Sequence, residues 1–230
     1  MADRATDEAA PAIRAREPLS RARFLEAAVR LMDREGVEAI TMRRLGRELG
    51  VEAMSLYNHV EDKEDILAGI IETVLIEFRL PPAGGDWLDR VRTMAVEFRR
   101  LLLAHPNVVQ LIAEHHGPPR SPDGFQPVEV ALSTLRAGGL SPQDTVHAYR
   151  ALVGFVTGYV TLETGGLLSQ DPEKHRWPEE EAFLRTYAER LPTTLEMFPY
   201  LMECDTNAEF EFGLDMLLDG LRARLGRRRS

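Results

Sequence analysis

Cysteine is almost absent: Cys204 stands alone in 230 residues, so no intramolecular disulfide can form, and a reducing, cytoplasmic setting is expected. Its neighbours Glu203 and Asp205 disfavour the thiolate, which argues against a redox sensor. Long apolar runs are missing too. The longest, ALVGFVTGYVTL from Ala151 to Leu162, falls well short of the roughly 20 residues that a membrane span needs. The opening MADRATDEAAPAIRAREP has mixed charges and no apolar stretch; it reads as a mobile arm over 1–17 rather than a signal peptide. Positive charge is also scarce, with 28 Lys and Arg against 37 Asp and Glu, a net charge of −9. Charge alone therefore does not point to a nucleic-acid partner. Counted locally, residues 20–47 hold seven Arg against four acids, a net of +3, after which Glu61, Asp62, Glu64 and Asp65 crowd the lone Lys63.

Catalytic and metal motifs are lacking as well. Glu114, His115 and His116 are consecutive, so on a helix they diverge by about 100° each, and no H-E-x-x-H or Cys/His spacing supports a metal site. Gly138-Gly139 and Gly165-Gly166 follow apolar helices and read as helix ends, not phosphate loops. Nothing resembles an activated nucleophile. The expectation is a protein that is not an enzyme, holds no cofactor or metal, and spans no membrane.

What is present is helix. The chain is 44% hydrophobic, and its apolar residues recur every three or four positions, never in sustained alternation. The first helix opens at Ser20 as N-cap, buries Phe24, Ala27, Ala28, Leu31 and Met32, and closes at Gly36. Thr41 caps a second helix with Met42, Leu45 and Leu49 inward, and Gly50 breaks it. A short third helix is expected over about 52–60, and a fourth from a cap at Asp62 to Arg79. The run PPAGG at 81–85 is the clearest boundary. Beyond it, amphipathic segments are expected at 86–104, 106–115, 126–138, 142–167, 178–190 and 206–225. The fold class is therefore all-α: a small N-terminal domain over 18–79 built on a three-helix helix-turn-helix with a fourth helix behind it, a larger helical domain over 86–225, and a basic tail at 226–230.

The stretch GVEAMSLYNHVEDKEDIL from Gly50 to Leu67 carries the chemistry. On a helical wheel, Ala53 and Val60 fall within about 60° of Leu56 and make a packed stripe, while Met54, Ser55 and Asn58 gather on the far side with Tyr57 and His59 flanking. Two helices joined at a glycine, the second short and polar outside, make a helix-turn-helix whose second helix enters a major groove. Asn58 suits a bidentate contact to adenine, and Met54 or Ala53 a thymine methyl. Ser55, Tyr57 and Lys63 suit phosphates, and Arg43 either a base edge or a phosphate. Periodicity leaves a plain solvated surface helix as an equal alternative.

The run ITMRRLGRELGVEAMSLYNHVEDKEDIL from Ile40 to Leu67, preceded by SRARFLEAAVRLMDREGVEA, resembles the DNA-binding signature of the TetR family of bacterial repressors over residues 18–79. The resemblance implies that Arg43, Ser55, Tyr57, Asn58, His59 and Lys63 contact operator DNA, with Thr41 as a cap. The pattern FEFGLDMLLDGL is similar to the last helix of regulators whose C-terminal domain resembles that of the tetracycline repressors, which implies a four-helix dimer interface.

For this homodimer, the residues expected at the interface are Phe210, Leu214, Leu217, Leu218 and Leu221, with Gly154 and Gly158 allowing close helix approach. The remaining helices should enclose an effector pocket, with Phe98, Leu102, His105, Leu111, Ile112, His115, Tyr149, Phe155 and Glu163 as candidate lining. The expected function is a dimeric repressor released from a pseudo-palindromic double-stranded operator by an unknown small molecule, with the Arg14 and Arg16 arm adding phosphate or minor-groove contacts. An activator, a ligand-independent regulator, or a helical binding protein that has lost DNA binding are the alternatives.

Overall fold

The computed structural model describes residues 19–114, 121–166, 168, 177–203 and 205–226. The arm at 1–17, His115, His116, Cys204 and the last four tail residues lie outside the described residues. Among the described residues the regular structure is entirely helical.

The N-terminal helices start and stop where the sequence provides caps. Helix α1 spans Arg21–Glu35; the Ser20 hydroxyl accepts from the Arg23 amide, and Gly36, at φ 85°, ends it. A turn of 3₁₀ helix at Val37–Ala39, not foreseen, leads to α2, Met42–Leu49. Thr41 caps α2 by accepting from the Arg44 amide, and Gly50 ends it in the left-handed region at φ 67°, where a side chain would be strained. Helix α3 is only Ala53–Leu56, continued by a turn over 57–59 and not by helix to residue 60. Helix α4 runs Lys63–Ile76 from its Asp62 cap and stops short of Arg79.

Past the Pro-Gly loop come α5, Trp87–Ala104, α6, Val108–Glu114, and α7, Pro122–Ala137. Helix α7 begins before the expected 126, because Ser121 caps it, Pro122 sits in its first turn, and Pro127 is absorbed inside. Helix α8 is Pro142–Gly165, α9 Trp177–Thr186, α10 Pro192–Met202 and α11 Thr206–Gly226. Helix α10 was not expected from the sequence. Pro192 reads as a break but stands at the helix start, where its missing N–H costs nothing.

One apolar cluster runs through both halves, from Phe24 and Leu31 in α1, through Ile70 and Val74 in α4, to Leu101, Val156 and Phe210. Helix α4 is the shared element: it packs on α1 on one side and on α6 and α7 on the other. At the same junction His105, the C-cap of α5, brings Nδ1 to 2.7 Å from Asp33 of α1 and Nε2 to 3.3 Å from Glu77 at the end of α4. Asn107 donates to the carbonyl of Met32 at 2.9 Å. Across the larger domain, Arg92 of α5 pairs with Glu211 at 2.7 Å and with Asp215, both on α11. Arg99 is buried between α5, α8 and α11, bidentate to Glu163, bonded to Asn207, and 4.8 Å from the centre of the Phe210 ring.

Candidate DNA-binding surface and ligand cavity

The two helices of the turn cross at Gly46. A methyl group there would lie 2.9 Å from the Val51 carbonyl oxygen and 3.3 Å from the Ala53 nitrogen, so glycine lets α3 approach the backbone of α2. The Val51 amide donates to the Gly46 carbonyl at 2.9 Å and closes the turn. Leu56, with no exposed surface, and Val60 anchor the far side in the core. What remains outside is a compact patch: Met54 is 74% exposed and Tyr57 54%, with Asn58 beside them.

Three expected contacts sit differently. Ala53 is half-buried, its backbone packed against Gly46 at the helix crossing, whereas Met54 presents an exposed apolar tip. The Ser55 hydroxyl donates to the Glu52 carbonyl at 2.7 Å and is half-buried, so its donor is used within the turn. His59 is half-buried, and its carbonyl accepts from Arg21 of α1 at 2.9 Å.

Around the patch the cations differ in their freedom. Arg44 is engaged by Glu35, and Arg34 by Glu48 at 2.9 Å. Arg43 and Arg47 on α2 and Lys63 at the start of α4 are exposed and make no ion pair among the described residues. Lys63 stands where α4 presents its first amides, a setting that favours an anion. Thr41 spends its hydroxyl on the cap, as expected.

The residue that the sequence hid is Asp65. It is buried, yet it takes both ends of the Arg21 guanidinium at 2.6 and 2.9 Å, and the Glu61 amide at 3.0 Å. The hydrogen bonds with Asp65 raise the Arg21 pKa further and keep the guanidinium charged. This pair ties the start of α1, the end of the recognition turn and the start of α4 into one body. The acidic run EDKED is thus partly internal wiring, with one of its carboxylates neutralised inside.

In the larger domain a cavity of about 200 Å³ opens between five helices. Ile71, Leu75 and Phe78 come from α4 and the residues after it, with Phe98 from α5, Ile112 from α6, Leu135 from α7, and Tyr149 and Val156 from α8. Three expected lining residues, Phe98, Ile112 and Tyr149, are on its wall. Leu102 and Leu111 are core side chains, His105 belongs to the α1–α4 junction, Phe155 stacks on Phe210 at 5.3 Å, and Glu163 holds Arg99. None of these five lines the cavity. The polar or aromatic groups of His105, Phe155 and Glu163 are spent on long-range partners that spacing does not reveal.

The expected dimer face also turns. Phe210, Leu214 and Leu218 are buried within the subunit, and Leu217 and Leu221 are half-buried. The outward apolar groups of α11 are Phe212, 69% exposed, and Met216, 63%. On α8, Gly154 and Gly158 do face open space, as a methyl on either would touch nothing within 4 Å.

Comparison with known proteins agrees with this geometry. Residues 24–70 match the model for bacterial regulatory proteins of the tetR family, and residues 80–225 the model for the tetracyclin repressor-like C-terminal domain. An HTH-type transcriptional regulator of Saccharopolyspora erythraea is 31% identical over 215 residues, covering 90% of this chain and 86% of that protein. An HTH-type transcriptional repressor of Streptomyces coeruleorubidus is 29% identical over 218 residues, covering 90% and 79%. The solved structure of apo ActR from Streptomyces coelicolor superposes with a TM-score of 0.80 at 28% identity, covering 93% of this chain and 100% of ActR. ActR in complex with actinorhodin gives 0.78 at 28%, covering 91% and 100%. With both halves matched, and a relative above 30% identity along most of its length, this chain belongs to the tetR family of bacterial regulatory proteins.

Proposed function

We propose that the protein is a dimeric, sequence-specific repressor that reads a pseudo-palindromic operator with the patch on α3 and leaves it when a small molecule fills the cavity behind α4. The observation that carries the DNA-reading half is the exposed trio Met54, Tyr57 and Asn58, on α3 and the turn that continues it, a segment otherwise sealed by Leu56 and Val60. One amide, one phenol and one thioether stand exposed together there, and the nearby Arg43, Arg47 and Lys63 are exposed and make no ion pair among the described residues. Asn58 offers the donor and acceptor pair that matches adenine in a major groove, and the surrounding cations fix register on the phosphates.

The release half rests on α4, which contributes to the cavity wall at one end and to the Arg21–Asp65 clamp at the other. A ligand that prefers one placement of α4 shifts the heads to the extent of that preference and no further. The repressor relative and the actinorhodin complex of ActR support both halves. Two copies pair through the open faces of α8 and α11.

Selection of bound duplexes from random DNA, run on wild type and Asn58→Ala, tests the reading. Wild type should enrich a palindrome, and the variant should relax it at one symmetric position, with a loss of about 1–3 kcal/mol per half-site. Enrichment of no duplex by wild type even at low salt overturns it.

A further inference from the structure

The cavity wall has a chemistry narrow enough to name the class of molecule it takes. Among the described residues, its side chains are aliphatic or aromatic with one exception, the phenol of Tyr149. Among the described residues no lysine, arginine, carboxylate or imidazole lines it. Phe78, Phe98 and Tyr149 place three rings around the space. Tyr149 is half-buried, and its hydroxyl has no hydrogen-bond partner among the described residues, which leaves it able to bond a ligand. Burial pushes its pKa up, so at neutral pH the group is a neutral hydroxyl able to donate.

At about 200 Å³ the space exceeds the roughly 150 Å³ apolar cavity that holds a single benzene ring, and suits two or three fused rings. A charged ligand would enter with no counter-ion and lose its hydration; a metal chelate would find no protein ligand for its metal.

We infer that the effector is an uncharged, flat, polycyclic molecule carrying a carbonyl or ether oxygen, held by the Phe78, Phe98 and Tyr149 rings and oriented by a hydrogen bond from the Tyr149 hydroxyl. This rests on the reading of the cavity as the effector site. Tyr149 is the specificity-determining residue. It selects for one acceptor oxygen, and the absence of any charged wall group selects against carboxylates, ammonium groups and metal complexes. A ligand of this class contacts Phe78 just beyond α4, which links its presence to the head.

Calorimetric titration of the DNA-free full chain with fluorenone, fluorene and a fluorenone carboxylate tests the class directly. Wild type should bind fluorenone more tightly than fluorene, and the carboxylate on the order of a hundredfold more weakly than fluorenone. Tyr149→Phe should weaken fluorenone by about two- to tenfold and leave fluorene unchanged, a split that mere loss of packing does not produce. Ala131→Trp, which fills the space from α7, should abolish binding of all three probes while the helical circular dichroism persists. If Ala131→Trp does not fold, the Tyr149→Phe split alone decides. The inference is overturned if fluorenone does not bind, if the carboxylate binds as well as the ketone, or if Tyr149→Phe weakens both neutral probes alike. Because no DNA is present, a failed operator selection would sink the repressor reading and leave this result standing, and the reverse also holds.

Discussion

At Gly46 a single hydrogen in place of a methyl group sets the distance between the two helices that read DNA. An added Cβ would sit 2.9 Å from the Val51 carbonyl oxygen and 3.3 Å from the Ala53 nitrogen, and both are backbone atoms that cannot swing aside. Gly46→Ala should therefore destabilise the head by about 1–3 kcal/mol, even though alanine is the better helix former by about 1 kcal/mol. Thermal unfolding checks it; an unchanged or raised melting temperature would mean that the crossing has slack. Asp65 is the complementary case. Its position after EDKE marks it as one more exposed acid, and only the fold reveals that it neutralises Arg21, 44 residues away in sequence. Leu56 and Val60 were legible as anchors because a wheel needs only spacing, whereas a salt bridge between α1 and α4 needs the tertiary arrangement first.

Among the elements, those with a capping residue and a glycine stop are found where the sequence puts them. Ser20 to Gly36, Thr41 to Gly50 and Asp62 onward bracket α1, α2 and the start of α4. The two with a proline in their interior are the ones that the sequence reading misses or delays. Pro127 lies inside α7 and Pro199 inside α10, and a reading that treats proline as a break loses α10 and delays α7. The cavity was legible only in part for a related reason. Period shows which face of α5 or α8 is apolar, not whether that face meets another side chain or a space, so Phe98 and Tyr149 line the cavity while Leu102 and Phe155 do not.

The junction of α1, α4 and α5 carries its own prediction. Asp33 takes its side-chain hydrogen bond from His105 through Oδ2, and its other oxygen is buried with no partner. His105→Ala would leave that carboxylate stranded. Hydrogen exchange should show the last turn of α1 losing about 1–2 kcal/mol of protection, with α8 and α11 unaffected. Equal loosening of all three would show that His105 supports the whole core and not the junction.

At the scale of the whole molecule, one exposed apolar surface lies on the outside of α8 and α11. Phe212 and Met216 stand exposed beside the open faces of Gly154 and Gly158. Replacing both with Asp should give monomers in sedimentation velocity, with the fold retained because neither side chain is part of the core. Operator affinity should fall with it, since two half-sites must be held together. A double variant that remains dimeric places the interface elsewhere, for instance on the exposed aromatic face of α9 and α10, where Phe183, Tyr187 and Tyr200 are exposed.

Helix α4 has 14 residues, which makes it about 21 Å long at about 1.5 Å per residue. The cavity meets it near one end and the recognition turn is bolted to the other. Pivoted at Leu75 on the cavity wall, the roughly 18 Å of helix back to Lys63 turns a tilt of about ten degrees into a sweep of roughly 3 Å at Lys63. Successive base pairs are about 3.4 Å apart. A tilt of that size would move each head by about one rung of the ladder, and in a symmetric pair the two errors would add.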